Sequence, residues 1–505
     1  MNEKKFHQLK LVCLGIIIGI ISGIIVSIFR LTIQTNLSWF HQAFQRAHHN
    51  WWWLVIIWMI NVAVVIIVGN LEKQEPAIKG SGIPQVEGQL RDEYHYHWWS
   101  VLWRKFIGGI LAIGSGLFLG REGPSIQLGS TVGQGIAETL KVKNSDRKVL
   151  ISSGAAAGLS AAFNAPLASV MFVLEEIFTN FSTNIWVVSL TSAVVADGVA
   201  LKVFGLKPVL AMPSHSLAVG QLGWVVTLGI VLGLLGRLYQ WATLNVAWIY
   251  RRLKHLPNQY WGLVPLILVI PVGFYVPYLL GGGSQIILQS ANQVHIPALT
   301  TLFGVLVLRF IFSVFSYGSG MPGGIFLPML CIGAITGEIV ATVLVRANLI
   351  SASLITSFII LGMVGFFAGV SKAPFTAVLL ITEMVGSLTH LVSLALVSLV
   401  AYLVVDLLSG APIYYSLLHQ LLNKRLPGTK TITISQSVFV GALADGKLMK
   451  DIAWPEHCLV TKVKRSEKEF APTGSSQIHA GDLLTIEIQD ADVSKARKTI
   501  MALIH

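Results

Sequence analysis

A base and an acid stand side by side in the run Gly120-Arg121-Glu122-Gly123-Pro124, between an apolar stretch (106–119) and a second, helix-like one. The surrounding hydropathy puts them at lipid depth, where ionisable side chains are costly and mark ion pathways. The two glycines let the backbone turn its amides inward, and Pro124 suits the first turn of a helix. A helix start offers unpaired N–H groups and a partial positive charge. Such a segment can hold a small anion, and Glu122 is a competitor built into it. Ionised, its carboxylate takes an anion position; protonated, it loses the charge that held it there.

Three further motifs offer neutral donors. Gly80-Ser81-Gly82-Ile83-Pro84 sets a hydroxyl between glycines before a helix start, the alternative being a serine N-cap. Gly323-Gly324-Ile325-Phe326-Leu327-Pro328 sets consecutive backbone amides before another helix, or is simply a loop-to-helix turn. Pro412-Ile413-Tyr414 follows the last apolar run, where an interfacial aromatic belt is the ordinary reading of a tyrosine. Neutral N–H and O–H dipoles suit a small anion that must be released again, because a fully charged lysine would hold it too tightly. Lys105, upstream of Glu122, is either a basic residue near the pathway or a lysine snorkelling to the surface.

These motifs need a membrane scaffold, and the composition supplies one. The chain has 505 residues, of which 54% are hydrophobic and only 12% charged, with a mean hydropathy of +0.69; soluble domains are nearer a quarter charged. Long apolar runs follow one another at 11–29, 52–69, 101–119, 149–178, 224–246, 261–280, 302–315, 325–345, 358–370, 375–384 and 391–408. About 20 residues cross a bilayer as a helix. Several runs are shorter or broken by Gly and Pro, as helices that end inside a membrane are where they line protein or water. The first run has the flanking lysines of a signal peptide but no convincing small-residue cleavage site, so it reads as a membrane helix with a cytoplasmic N-terminus. Positive-inside loops account for the net charge of +12 without a nucleic-acid partner. Cys13, Cys331 and Cys458 form neither a disulfide framework nor a metal spacing, and no cofactor is indicated.

The membrane part repeats internally. Residues 154–166 (GAAAGLSAAFNAP) and 362–374 (GMVGFFAGVSKAP) each lead into an apolar helix ending in a glutamate, Glu175 or Glu383. Upstream, Gly120, Pro124, Gly129 and Gly133 have the spacing of Gly324, Pro328, Gly333 and Gly337. Two halves with broken helices at matching positions point to a repeated transporter fold with its site at the midplane. Glu175 and Glu383 match each other and read as structural helix-end contacts. Glu176 faces Met384 across the repeat, and Glu122 faces Phe326; these unmatched acids are where a symmetric scaffold has been made functional.

Taken together, the five elements at 80–84, 120–124, 154–166, 323–328 and 412–414 resemble those of the CLC chloride channels and transporters, through almost all of residues 1–422. The resemblance implies an all-α polytopic membrane fold of two inverted halves, a homodimer in the lipid bilayer, and one anion pathway per subunit. By motif, Ser81 and Tyr414 match the hydroxyl donors of the central chloride site, and Ile325 and Phe326 match its backbone amides. Arg121, Gly123 and Leu327 match backbone positions around the outer site. Glu122 matches the gating glutamate that takes up a proton, and Glu176 the internal proton-transfer glutamate of the exchangers. The family's channels usually lack an acid there, so the resemblance favours H+/Cl− exchange over a passive channel. Nitrate-selective relatives carry Pro in place of Ser81, and fluoride exporters depart from the Ser81 and Tyr414 motifs.

Composition changes near Leu422, and residues 430–505 read as a small cytoplasmic α+β domain. Strand-like pieces lie at 431–434, 458–463 and 483–488, with a helix-like end at 493–504. Pieces at 443–452, 455–460 and 479–484 resemble the RCK_C (TrkA-C) module of potassium-transport regulators. Such modules dimerise, and some bind small ligands including cyclic di-AMP. The Asp-x-Arg and later Asn of those binders are not evident around 462–474. A dimer-stabilising cap is the other reading. A membrane enzyme would need a nucleophile–base set; no such set stands out, and His41, His48, His49, His95 and His97 fall in expected polar connectors. The chain is therefore expected in the plasma membrane of a bacterium, with both termini cytoplasmic.

Overall fold

The computed structural model describes residues 3–178, 182–213, 215–253, 255–292, 297–423, 431–439, 441–455, 458–465, 468–489 and 493–504. They form two compact units, 1–419 and 420–505. The first is helical. It opens with α1 (Glu3–Ala47), α2 (Trp52–Gln74), α3 (Ile83–Leu90) and α4 (Trp98–Gly114). The first repeat follows as α5 (Glu122–Thr139), α6 (Asn144–Phe163), α7 (Pro166–Phe172) and α8 (Thr183–Phe204). Then come α9 (Leu222–Asn245), α10 (Ala247–Arg251), α11 (Leu263–Tyr275), α12 (Ser284–Ala291) and α13 (Leu299–Gly318). The second repeat is α14 (Phe326–Arg346), α15 (Ile355–Ser371), α16 (Pro374–Val385) and α17 (Leu391–Leu407), and α18 (Ile413–Asn423) closes the series.

Two observations establish the symmetry of the halves. Gly120 and Gly324, which are repeat equivalents, form an antiparallel bridge with both N–H···O bonds at 2.7 Å. A residue that pairs reciprocally with its own equivalent lies on a local two-fold axis. Glu175, beyond α7, accepts bonds from the Phe375 and Thr376 amides at the start of α16. Glu383, in α16, accepts them from Leu167 and Ala168 at the start of α7. Each half thus caps the other's broken helix, satisfying amides that have no partner inside their own helix. Both glutamates are helix-end contacts.

Glycines set the closest packing. In α5 and α6, a Cβ at Gly129 would land on the Gly154 carbonyl, and one at Gly154 on the Gly129 carbonyl. Gly333 of α14 and Gly362 of α15 reproduce the arrangement. Helix backbones touch here because small residues let them.

Seven helices among the described residues are long and apolar enough to cross a membrane. α1 has 45 residues where an apolar core of 11–29 was expected; at 1.5 Å per residue it is about 67 Å long, so it tilts or projects beyond an ~30 Å hydrocarbon layer. Its continuation carries His41 inside a helix, correcting the connector expected there. The 101–119 run stops being helical at Gly114, and Ser115 to Leu119 lead to the Gly120 bridge. The 149–178 run breaks at Asn164, whose φ of 55° caps α6 in the left-handed region, and Pro166 then opens α7.

The second unit is a four-stranded antiparallel sheet with a helix. Its strands are β1 (Thr431–Ser437), β2 (Cys458–Arg465), β3 (Lys468–Phe470) and β4 (Leu483–Gln489), in the order β1-β4-β2-β3, followed by α19 (Val493–Ile504). Leu484, Ile486 and Ile488 alternate into the core with Val463, Ile500 and Ile504. The short edge strand β3 carries no apolar run and was not expected. Arg465 forks onto buried Asp482, at 2.7 Å to each oxygen. Burial alone would raise the Asp482 carboxyl, but Arg465 and the His479 amide outweigh it and hold it below the ordinary aspartate value. The expected junction at 424–430 lies outside the described residues.

Candidate functional site

Three glycine-flanked helix starts meet at the repeat axis. The Gly80 amide donates to the Gly320 carbonyl, and the Gly323 amide donates to the Gly80 carbonyl. The Gly120–Gly324 bridge lies alongside, and a Cβ at Gly123 would strike the Ser81 hydroxyl and backbone. The starts of α3, α5 and α14 are therefore in mutual contact. Ser81 is not the N-cap of α3: Gly82 is, with φ 93°, which leaves the Ser81 hydroxyl uncommitted to the helix. Ile325 and Phe326 open α14 with first-turn amides, and Leu327 follows.

Aromatic rings carry the site on to α18. Phe326 lies 5.8 Å from Phe172, and Phe172 lies 6.1 Å, edge to face, from Tyr414 at the start of α18. Ser81 Oγ and Tyr414 Oη are buried, with no hydrogen-bond partner among the described residues, and the buried Glu122 carboxylate faces its own and the Leu327 backbone amides. Buried polar groups are nearly always paired in proteins; other orphans exist here, Ser22 Oγ and Thr342 Oγ1 among them, so it is the position of these two at the helix starts that singles them out. Two orphaned hydroxyl donors around converging helix starts fit a small anion that accepts from them, with the Glu122 carboxylate, which already sits against helix-start amides, as its rival. Glu122 is the first residue of α5; its carboxylate lies against Gly120, with Arg121 and Arg30 as nearby cations.

Glu176 is brought into the same neighbourhood by a local irregularity. Residues Val173–Ile177 form a π-helical turn, which has no counterpart in α16. Inserted π turns recur at functional sites because one extra residue re-aims the side chains. Here the neighbours part: Glu175 reaches across to α16, while Glu176 stays buried, within electrostatic reach of Glu87 and Tyr414. Glu87 is itself buried and paired with Arg91 at 2.8 Å.

Lys105 is not a snorkelling lysine. It is 0% exposed, and its ammonium donates to the Ile78 and Gly80 carbonyls at 2.8 and 2.7 Å. It fixes the loop that presents Ser81 and does not need to touch an anion to matter. Gln127 and Gln85 brace the same loop through the Ala77 and Lys79 carbonyls. Arg309 is likewise fully buried and ties down the Leu279, Gly281 and Gly282 carbonyls. Sequence reasoning missed Gln85, Gln127, Arg309 and Glu87. The available signal was a polar residue inside or beside an apolar helix, which costs free energy unless its partners are built.

The architecture is that of a multi-pass membrane transporter with paired repeats, broken helices and an axial site. Residues 63–406 match the family described as voltage gated chloride channel, and the chain belongs to that family, the CLC proteins. Residues 438–501 match the TrkA-C domain. Similar curated proteins include the H(+)/Cl(-) exchange transporter ClcA of Vibrio campbellii, 33% identical over 81% of this chain and 88% of that protein. The ClcA of Vibrio cholerae is 33% identical over 82% and 90%. Among solved structures, a slow cyanobacterial Cl-/H+ antiporter is 30% identical, with a TM-score of 0.77 over 82% of this chain and 98% of that one. A eukaryotic CLC transporter, 22% identical with a TM-score of 0.70 over 82% and 74%, shares the fold.

Proposed function

We propose that this protein exchanges chloride for protons across the membrane, one pathway per subunit of a homodimer. The observation that carries the reading is the buried Glu122 carboxylate set among orphaned anion donors, Ser81 and Tyr414, at converging helix starts. In this reading Ser81, Tyr414 and the Ile325 and Phe326 amides hold chloride centrally. Glu122 alternates between occupying an outer anion position, bounded by the backbone of Arg121, Gly123 and Leu327, and leaving it protonated. Glu176 passes protons to Glu122 by a route separate from the anions. Its presence favours exchange over a passive channel, and the relatives named as exchangers support the same choice.

The hydroxyls make the first test. A hydrogen bond to a charged group contributes roughly 1.5–3 kcal/mol, so Tyr414→Ala should weaken chloride binding roughly tenfold or more. Ser81→Pro should shift preference towards nitrate. Calorimetry that finds chloride binding unchanged in both variants removes them from the site.

The TrkA-C domain is proposed as a cytoplasmic regulatory module that pairs across the dimer axis and biases transport through differential affinity of a small ligand for two states. Deleting 430–505 should leave transport intact and abolish any response to cytosolic metabolites, with cyclic di-AMP tried first. A truncated chain that transports and responds like the full one makes the domain a structural cap.

A further inference from the structure

The turn that presents Tyr414 is strapped to α9. Gln240 of α9 is 1% exposed. Its side-chain amide donates to the Val370 carbonyl at 2.8 Å and to the Ala411 carbonyl at 2.9 Å. Val370 lies at the end of α15, where the helical donor for its carbonyl would be residue 374, a proline without an N–H. Ala411 stands three residues before Tyr414, between α17 and α18. About one turn earlier in α9, Arg237 Nε donates at 3.1 Å to the carbonyl of Leu408, the C-cap of α17. The turn 408–412 is thus held to α9 near both of its ends.

Two carbonyls face the Gln240 amide nitrogen, which fixes the orientation of the group. Its oxygen is then buried against Gly410, where a Cβ would lie 2.7 Å from it, and has no partner among the described residues. An unpaired buried acceptor costs free energy. An apolar side chain of the same size would avoid that cost, so the two donated bonds are what glutamine adds here.

The repeat separates one of those bonds from the scaffold. Gly19 and Gly23 of α1 pack on Val195 and Val199 of α8, as Gly229 and Gly233 of α9 pack on Val400 and Val404 of α17. Seven residues beyond Gly23 and Gly233 stand Arg30 and Gln240. Arg30 donates to Asn164, the C-cap of α6, at 2.8 Å. Each twin therefore ties its helix to the helix before the break. The bond to Ala411 has no counterpart, because α18 follows only the second half.

We infer that Gln240 is a positioning residue for the anion site: by clamping the 408–412 turn onto the end of α15, it fixes where the Tyr414 hydroxyl stands. Lys105 does the same for the Ser81 loop with an ammonium, and Gln240 does it without bringing a charge. The inference rests on the reading of Tyr414 as a chloride donor.

The test is a double-mutant cycle, with chloride binding to the purified full chain measured by calorimetry. Gln240→Met keeps the side chain's size and removes both donors. It should weaken binding roughly three- to tenfold, less than removing the hydroxyl outright. On a Tyr414→Ala background the same change should have no further effect, because the group it positions is gone. A general loosening of the helices would weaken binding equally in both backgrounds, and that result, or unchanged binding in Gln240→Met alone, overturns the inference. If Gln240→Met does not yield monodisperse protein, Arg237→Met serves instead, being at the partly exposed strap; its effect should be smaller and again absent with Tyr414→Ala, and an equal effect in both backgrounds is the contrary result. Chloride binding unchanged by Tyr414→Ala itself would sink the reading of the central site, and this inference with it. Weakened binding in Tyr414→Ala without coupling to Gln240 or Arg237 would sink the inference alone.

Discussion

Glu122→Gln should abolish proton movement and leave chloride flux running. Glutamine has the shape of the protonated side chain but cannot ionise, so the outer anion position loses its internal competitor and the proton its carrier. Glu122 is fully buried as the first residue of α5, with its own and the Leu327 backbone amides facing its carboxylate; the glutamine carbonyl can still accept from them, so the change is mild for the fold. Its repeat equivalent is Phe326, which the second half tolerates in the same kind of turn. Glu176→Gln should give the same separation by interrupting proton supply instead. Parallel chloride and proton fluxes in one liposome preparation check both variants, and proton pumping that survives Glu122→Gln removes the residue from its role.

Gly154→Val should prevent the membrane unit from folding. The added carbons would fall on the Gly129 carbonyl, which is helix backbone and cannot rotate away. The cost should exceed the ~1–3 kcal/mol of an ordinary overpacked core, because α5 and α6 would have to separate along their whole contact and carry Glu122 with them. Gly362→Val should fail in the same way against Gly333, since the halves repeat the crossing. Gly198→Val in α8 is the control, because a Cβ there meets nothing within 4 Å. Yield of monodisperse protein in detergent reads all three. A well-folded Gly154→Val would show that the close crossing is not required.

Much of this arrangement was legible in the sequence because it is written locally. Glycine–proline punctuation marks where helices break, and the repeat of 154–166 in 362–374 discloses two halves before any contact is known. The same comparison separates Glu175, which has a structural twin, from Glu176, which has none. In the tail, alternation within 483–488 and the period of 493–504 identify β4 and α19. What stayed hidden depends on partners distant in the chain. Nothing near Lys105 says that its ammonium closes on the Ile78 and Gly80 carbonyls. Nothing in the 149–178 run separates a continuous helix from one whose last turn is π-helical, because both bury the same apolar residues. The strand β3 has three residues and is defined by pairing with β2, not by hydropathy. The TrkA-C resemblance names a module, whereas any ligand it binds depends on individual side chains rather than on the module's pattern.

Coupling of chloride to proton movement can be measured without any mutation. Liposomes carrying the full chain are loaded with high chloride and diluted into low chloride at equal pH, with the external proton concentration followed. Chloride leaving makes the interior positive, so passive proton leak would run outwards. An exchanger must drive protons inwards against that potential, and the external medium should turn alkaline until a proton carrier collapses the gradient. Chloride efflux with no inward proton movement would contradict the account and make the protein a passive anion channel.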